Sequence, residues 1–398
     1  MHSTLTPRRG LATTLAMALA ALALAACGSS SSSSSSSSSA SGSSSASGSS
    51  SSSTGSPGVA AAQASVAAHT ANPTLIGVTT PVGKPIPTGK KIVFVNCGPE
   101  GCARAGASLT QAAALLGWHV TTLTPTQPTP QLIQADLQQA INLHPDAVVV
   151  SALPLVTYQR QAAELQAMHI PLISMYGPDP TGGPILLQIF GTDGNDAEAK
   201  VAADKTVADL GSAKGTIGTV ILSGYTVIAD FVAAYTAQVK ALCPACNVKS
   251  VTILPTSIGT TDGSDIVNFV RANSGMKALL LGYDGVGGDL ITAAKNASLT
   301  LPNTYSIATV ASGLALVRQG LRKATVPTDY QENGWLVADA LARIFTGQTA
   351  SALAVDRTYP RPVIWSAQYN NIPPNGPTGF PTTVATYQAQ FKKLWGKG

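Results

Sequence analysis

Charge and aromatic residues are both scarce in this chain. Of its 398 residues, 11% are Asp, Glu, Lys or Arg and 5% are Phe, Trp or Tyr, against 44% hydrophobic. That balance excludes a chain held disordered by its own charge, and it excludes a coiled coil with charged flanks. Basic runs are lacking too, and a formal net charge of +5 spread so thinly gives no electrostatic footprint for nucleic acid, so no nucleic-acid partner is expected. Past residue 27 there is no second apolar run of the ~20 residues a membrane helix needs, so a helical channel or permease is not expected either. Length is what the chain has in plenty, with 37 Gly and 26 Pro. It is about twice what one hydrophobic core organises, which implies two lobes, unstructured tails, or both.

The amino terminus is strongly biased. Arg8 and Arg9 precede an apolar stretch, Leu11 to Ala26, too short and too Ala-rich for a comfortable membrane span. Residues 1–27 therefore read as an export signal, with Arg8-Arg9 also compatible with a twin-arginine signal. Loss of those two arginines leaves the mature chain nearer +3 than +5. The segment Leu24-Ala25-Ala26-Cys27-Gly28 resembles a bacterial lipobox, which implies a diacylglycerol on the Cys27 thiol; the bland alternative is an ordinary secretory signal with a chance cysteine. Ser29 to Ser53 is almost pure serine and buries nothing, so residues 28–89 are expected to be a flexible tether. About 60 such residues reach roughly 40 Å. Lipid and tether together place the protein outside the cytoplasm, held on the outer face of the membrane without spanning it.

With Cys27 taken by the lipid, four cysteines remain as two close pairs, Cys97/Cys102 and Cys243/Cys246. Outside the cytosol such pairs favour two local disulfides. A four-thiolate zinc site requires the pairs to converge across about 140 residues of sequence, and a redox Cys-x-x-Cys belongs at a helix start after a strand; both are weaker readings, and no metal is expected.

From Lys90 onward, short β-branched runs alternate with Ala-rich segments of helical period, the pattern of strand-helix-strand units in a parallel sheet. Strands are expected at 92–95, 119–123, 147–150, 172–174, 219–222, 248–254, 278–281 and 306–310. Helices are expected at 105–116, 130–142, 156–168, 196–210, 230–242, 261–272 and 287–297. Two sets of four strands, with a break near 185–193, imply two sheets and two similar lobes; a further helix at 333–345 and a short strand at 362–365 follow.

The segments KIVFV at 91–95, AALLGW at 113–118, PDAVVV at 145–150 and HIPLIS at 169–174 resemble the first lobe of type I periplasmic binding proteins, the ribose-binding family. GTVILSG at 218–224, ALLLGYD at 278–284, GLRKATV at 320–326 and GWLVADAL at 334–341 continue the resemblance through the second lobe. It implies an α/β fold of two doubly wound parallel-sheet lobes joined by a three-strand hinge, with crossings near 190–193, 326–328 and 361–363. The implied first lobe is 90–190 with 328–361, and the second is 191–327 with 362–398. It also implies a monomer that captures a small molecule without bond chemistry or cofactor and delivers it to the permease of an ABC importer. A lipid-anchored sensor presenting its closed form to a receptor or kinase is the alternative, and the leader argues against a repressor relative.

Ligands of open α/β sheets sit beyond the carboxyl ends of the strands. The residues just after each strand are therefore the candidate contacts: Asn96, Gly98, Glu100, Ser151 and Tyr176 in the first lobe, Tyr225, Phe231, Tyr283, Asp284 and Ser312 in the second, and Thr328 at a hinge. Where ribose-type relatives place an Asp-Arg pair after the fourth strand, this chain has Tyr176-Gly177; the Arg of the second lobe's first helix aligns with Phe231, and a later Asp with Ala311 or Ser312. A densely hydroxylated sugar would leave hydroxyls unpaired at about 1–3 kcal/mol each. The expected guest is accordingly smaller or less polar, possessing a ring that stacks on Tyr176, Tyr225, Phe231 or Tyr283. Enzyme motifs are weak: His119, His144 and His169 lack metal-ligand spacing, Ser223 lacks a nucleophile elbow, and Gly285-Val286-Gly287-Gly288 misses the dinucleotide spacing.

Overall fold

The structure, a computed structural model, describes residues 56–127, 129–349, 361–376 and 378–398. The export signal, Cys27 and the serine tract lie outside the described residues. Among those described, no helix is long and apolar enough to cross a membrane.

The first sheet contains β1 (Lys91–Val95), β2 (His119–Leu123), β3 (Ala147–Ser151), β4 (Leu172–Met175) and β5 (Leu187–Ile189), all parallel, in the order β2-β1-β3-β4-β5. The second contains β6 (Lys214–Leu222), β7 (Ala245–Ile253), β8 (Met276–Leu281), β9 (Asn303–Ile307) and β10 (Ala324–Val326), in the order β10-β9-β8-β6-β7. Both orders are one topology, with the reversal between β1 and β3 in one sheet and between β6 and β8 in the other. The fully buried runs of β1, β3 and β4 follow from their covering: helices on both faces leave no wet side for polar alternation. β5 and β10, each three residues long, were not expected from the sequence.

Helices α2 (Glu100–Leu115), α3 (Pro130–Asn142), α4 (Gln159–Ala167) and α10 (Tyr330–Phe345) cover the first sheet, while α5 (Thr192–Leu210), α6 (Thr226–Leu242), α7 (Asp262–Ala272), α8 (Leu290–Asn296) and α9 (Ala311–Arg318) belong to the second. α10 lies against α2, and Gly334 permits this: a Cβ there would run into the Ala105 carbonyl. His144 and His169 end α3 and α4 in the left-handed conformation (φ 47° and 56°), a chain-reversing role that explains their recurrence without any metal.

Two boundaries differ from the sequence reading. The stretch expected to be tether up to residue 89 carries α1 (Pro57–Ala68), capped by the Ser56 hydroxyl and packed on α5 and α6 of the second lobe through Val59, Ala62 and Val66. The chain then passes the hinge, where Ile364 N–H donates to the His69 carbonyl, and buries Ile76, Val78 and Val82 in the first lobe. Its low charge and regular Ala and Val content allow burial that its prolines concealed. The second difference is at the other end. Trp365 pairs antiparallel with Thr325, as a strand near 362–365 required, but α11 (Tyr387–Leu394) belongs to the first lobe and not the second. Trp395 stacks on Trp335 of α10 at 5.2 Å and its indole N–H donates to Asp339 at 2.9 Å.

Candidate functional site

The carboxyl ends of the two sheets face each other across the hinge, and the described residues between them enclose a cavity of about 60 Å³. On the first lobe its wall comes from both sides of the β1/β3 reversal: Cys97 after β1, Ala152 after β3, and Tyr176 after β4. Leu222 at the end of β6, Tyr283 after β8 and Ala308 after β9 face them from the second lobe. Tyr225, Val227, Ile228 and Phe231 of the α6 start close one flank, and Tyr330 of α10 with Thr328 closes the other. Phe231 is among the lining residues, and no charged side chain lines the cavity among the described residues.

Three of these wall residues hold a backbone conformation that non-glycine residues rarely adopt: Ala152 (φ 50°), Tyr176 (φ 56°) and Ala308 (φ 53°). Each follows a strand directly, so the chain turns sharply there and aims its next atoms into the cleft. Such outliers cost about 1–3 kcal/mol each and persist where surrounding packing over-determines them. Gly98 (φ 105°) makes the turn after β1, and Ser151 holds β1 and β3 together by accepting from Cys97 N at 3.0 Å while donating to the Val95 carbonyl at 3.2 Å.

Cys97 and Cys102 form a disulfide, Cα to Cα 5.8 Å, and both line the cavity, so this bridge is a wall of the site. Cys243 and Cys246 form the other (Cα to Cα 5.3 Å) in the second lobe. Neither pair approaches the other's position, and no group of three or more metal-ligating side chains occurs among the described residues.

Of the eleven candidate contacts, Tyr176, Tyr225, Phe231, Tyr283 and Thr328 line the cavity. The other six do not. Asn96 is spent on the β1 turn, its Oδ1 accepting from Gly98 N and its Nδ2 donating to Thr124. Ser151 and Gly98 shape the wall from behind, and Ser312 is exposed on α9. Glu100 begins α2, pairs with Arg104 and accepts from Ala311 N of the second lobe, which makes it a contact between lobes. Asp284 is buried beneath the cleft, ion-paired with Arg322 and accepting from Val310 N at 2.9 Å. The rule that residues after strands face the cleft fails for Asp284 because Tyr283, one position earlier, takes the outward direction. Asn195, Ile228 and Tyr330 were missed; they lie in the first turns of helices that follow a strand or a hinge crossing, a position the sequence marks as well as it marks strand ends.

The cleft is shut. Tyr225 of the second lobe donates its hydroxyl to the Cys97 carbonyl of the first at 3.2 Å, and Arg104 Nη1 donates to the Thr309 carbonyl at 3.3 Å while its guanidinium lies 3.6 Å over Phe380. One apolar cluster runs from the first core through Tyr176, Tyr330, Tyr225 and Tyr283 into the second. Burial raises the tyrosine hydroxyls Tyr225 and Tyr283, and Tyr176 well above its usual value with Tyr330 adding to the effect, so all remain neutral donors at physiological pH. The Tyr176 hydroxyl is buried beside the Asn333 amide, and neither its Oη nor Asn333 Nδ2 has a hydrogen-bond partner.

No protein-family model and no curated protein matches the chain. Solved structures do. An ABC sugar transporter subunit from Rhodobacter sphaeroides 2.4.1 aligns over 71% of this chain and 99% of its own length at 18% identity, with a TM-score of 0.61. An ABC transporter solute-binding protein from Agrobacterium vitis with bound allitol aligns over 72% and 98% at 19% identity and TM-score 0.62. One from Mycobacterium smegmatis with bound glycerol aligns over 74% and 99% at 14% identity and TM-score 0.62. The fold of this chain is therefore that of the type I periplasmic solute-binding proteins.

Proposed function

We propose that the protein is an extracytoplasmic solute-binding protein, anchored to the outer face of the membrane through a lipid on Cys27, that delivers its guest to the permease of an ABC importer. The mechanism is capture, hinge closure and presentation of the closed form, with no bond made or broken. The fold and its leader support the class of function. The observation that carries the guest's chemistry is the cavity wall: five aromatic side chains, a disulfide and no charge. Such a wall pairs poorly with a ring of hydroxyls and well with a small neutral ring bearing one or two polar groups, stacked edge or face on Tyr176, Tyr225, Phe231, Tyr283 and Tyr330. Asn195 supplies hydrogen bonds, and Tyr176 contributes its ring. With only 60 Å³ free in the closed form, opening must precede entry of anything larger than a few waters.

Native mass spectrometry of the freshly purified protein, followed by a thermal-shift series of cyclic neutral compounds against free pentoses and hexoses, tests this reading. The expected outcome is stabilisation by cyclic compounds with few hydroxyls, lost by about tenfold in affinity on Phe231→Ala. Stabilisation by pentoses or hexoses alone would refute it.

A further inference from the structure

A second cavity lies behind the hinge, and at about 130 Å³ it has twice the free space of the closed cleft. Asp193 and Glu198 of α5 line one side, and Asp329, Glu332 and Asn333 at the start of α10 line the other. Ala197, Pro327, Pro362 and Val363 make the rest of the wall apolar, with Phe190 its one aromatic residue. Arg361, exposed at the edge, is the one basic residue among the described lining residues.

Asp193 is exposed and Asp329 half-buried, while Glu198 and Glu332 are buried, which is costly for carboxyl groups unless something answers them. Asp329 is answered internally: its oxygens accept from Glu332 N at 3.1 Å and from Thr383 N and Oγ1 at 2.7 and 3.0 Å. Glu198, 3% exposed, accepts from the Thr328 hydroxyl at 2.6 Å. Glu332 is different. It is 2% exposed, lines the cavity, and its Oε2 has no partner. The neighbouring Asn333, 4% exposed, also leaves its Nδ2 without one. Native proteins rarely leave such groups buried without a reason.

We infer that the hinge cavity is a binding site for a small primary alkylammonium compound, its ammonium received by Glu332 and Glu198 and its stem by the apolar wall. An ammonium brings three donors, enough to reach both carboxylates at once. A metal ion is a poorer fit, since hard cations need six or more oxygens and no cluster of three or more ligating side chains occurs among the described residues. A quaternary ammonium needs an aromatic cage, and Phe190 alone is not one. Burial raises the carboxyls of Glu198 and Glu332 well above their usual value, Asp329 adding to the effect on both, and a cation in the cavity opposes that shift. The inference is independent of what the cleft binds.

Calorimetry and thermal shift on the intact protein, above neutral pH, with propylammonium chloride as probe and potassium and calcium chloride at equal ionic strength for comparison, decide the matter. The expected result is a saturable stabilisation by propylammonium alone. Glu332→Gln should weaken binding tenfold or more. Arg361→Ala, an exposed change that keeps the test alive should the buried variant misfold, should tighten it severalfold by removing a like charge. No saturable response to propylammonium, an equal response to calcium, or unchanged affinity in both variants would overturn the inference.

Discussion

Asp284 shows how one residue can look like a ligand contact and serve the frame. It follows β8 in a Gly-Tyr-Asp run, yet its carboxylate is fully buried against Arg322, and a Cβ on Gly313 would collide with it. Burial lowers the Arg322 guanidinium to about 10, so the cation persists at neutral pH and depends on Asp284 for compensation. Asp284→Ala should therefore cost about 3–5 kcal/mol in urea unfolding, as removal of one partner from a buried pair does. The double change Asp284→Asn with Arg322→Met, which keeps an acceptor for Val310, should recover most of that loss. A single variant within 1 kcal/mol of the parent would show the pair to be idle. The sequence made the aromatic contacts legible because Tyr176, Tyr225 and Tyr283 are large and follow strands. It could not separate Tyr283 from Asp284, since which of two adjacent residues faces the cleft depends on a backbone turn and on a partner, Arg322, some 40 positions away.

At the scale of elements, the long apolar strands and periodic helices were readable, and what escaped was short or disguised. β5 and β10 have three residues each, too few for any period, and are edge strands fixed by β4 and β9. α1 hid behind the serine tract and a proline that in fact begins it. The hinge acids also belong to this scale, because it is the approach of α5 to the start of α10 that buries them. Glu198 and Glu332 are raised well above 4.5 in the folded chain, and Asp329 is raised by burial as well, against its hydrogen bonds from Glu332 N and Thr383 and the opposing charge of Arg104. A carboxyl whose folded value is raised stabilises the fold fully below its unfolded value and loses that contribution as pH rises through the folded one. The unliganded protein should then have its highest melting temperature in mild acid and lose about 2 °C or more toward neutrality. Asp146, lowered by Lys90 and Lys91 against a desolvation that opposes them, acts below 3.8 and so outside this window. Glu332→Gln should flatten the profile; a slope unchanged by that substitution would assign the pH dependence elsewhere.

For the whole molecule, the question is what holds two lobes shut around so small a cavity. Beyond the expected hinge crossings, the chain ties the lobes at both ends: the segment after α1 runs from the second lobe to the first, and the chain after Trp365 returns to the first lobe to form α11. These links fix the pivot and leave closure to the rim. There Arg104 does the most, reaching the Thr309 carbonyl, covering Phe380 and pairing with Glu100, which itself accepts from Ala311. A hydrogen bond involving a charged group contributes about 1.5–3 kcal/mol, and 1.4 kcal/mol is tenfold in an equilibrium. Arg104→Ala should therefore shift the open-to-closed ratio of the unliganded protein by about tenfold or more toward open, seen as a larger radius of gyration in X-ray scattering. Tyr225→Phe removes only the neutral bond to Cys97 while preserving the ring against the cavity, and should move the same quantity less. If neither variant expands, the apolar cluster alone closes the cleft, and the polar rim only sets the register in which the lobes meet.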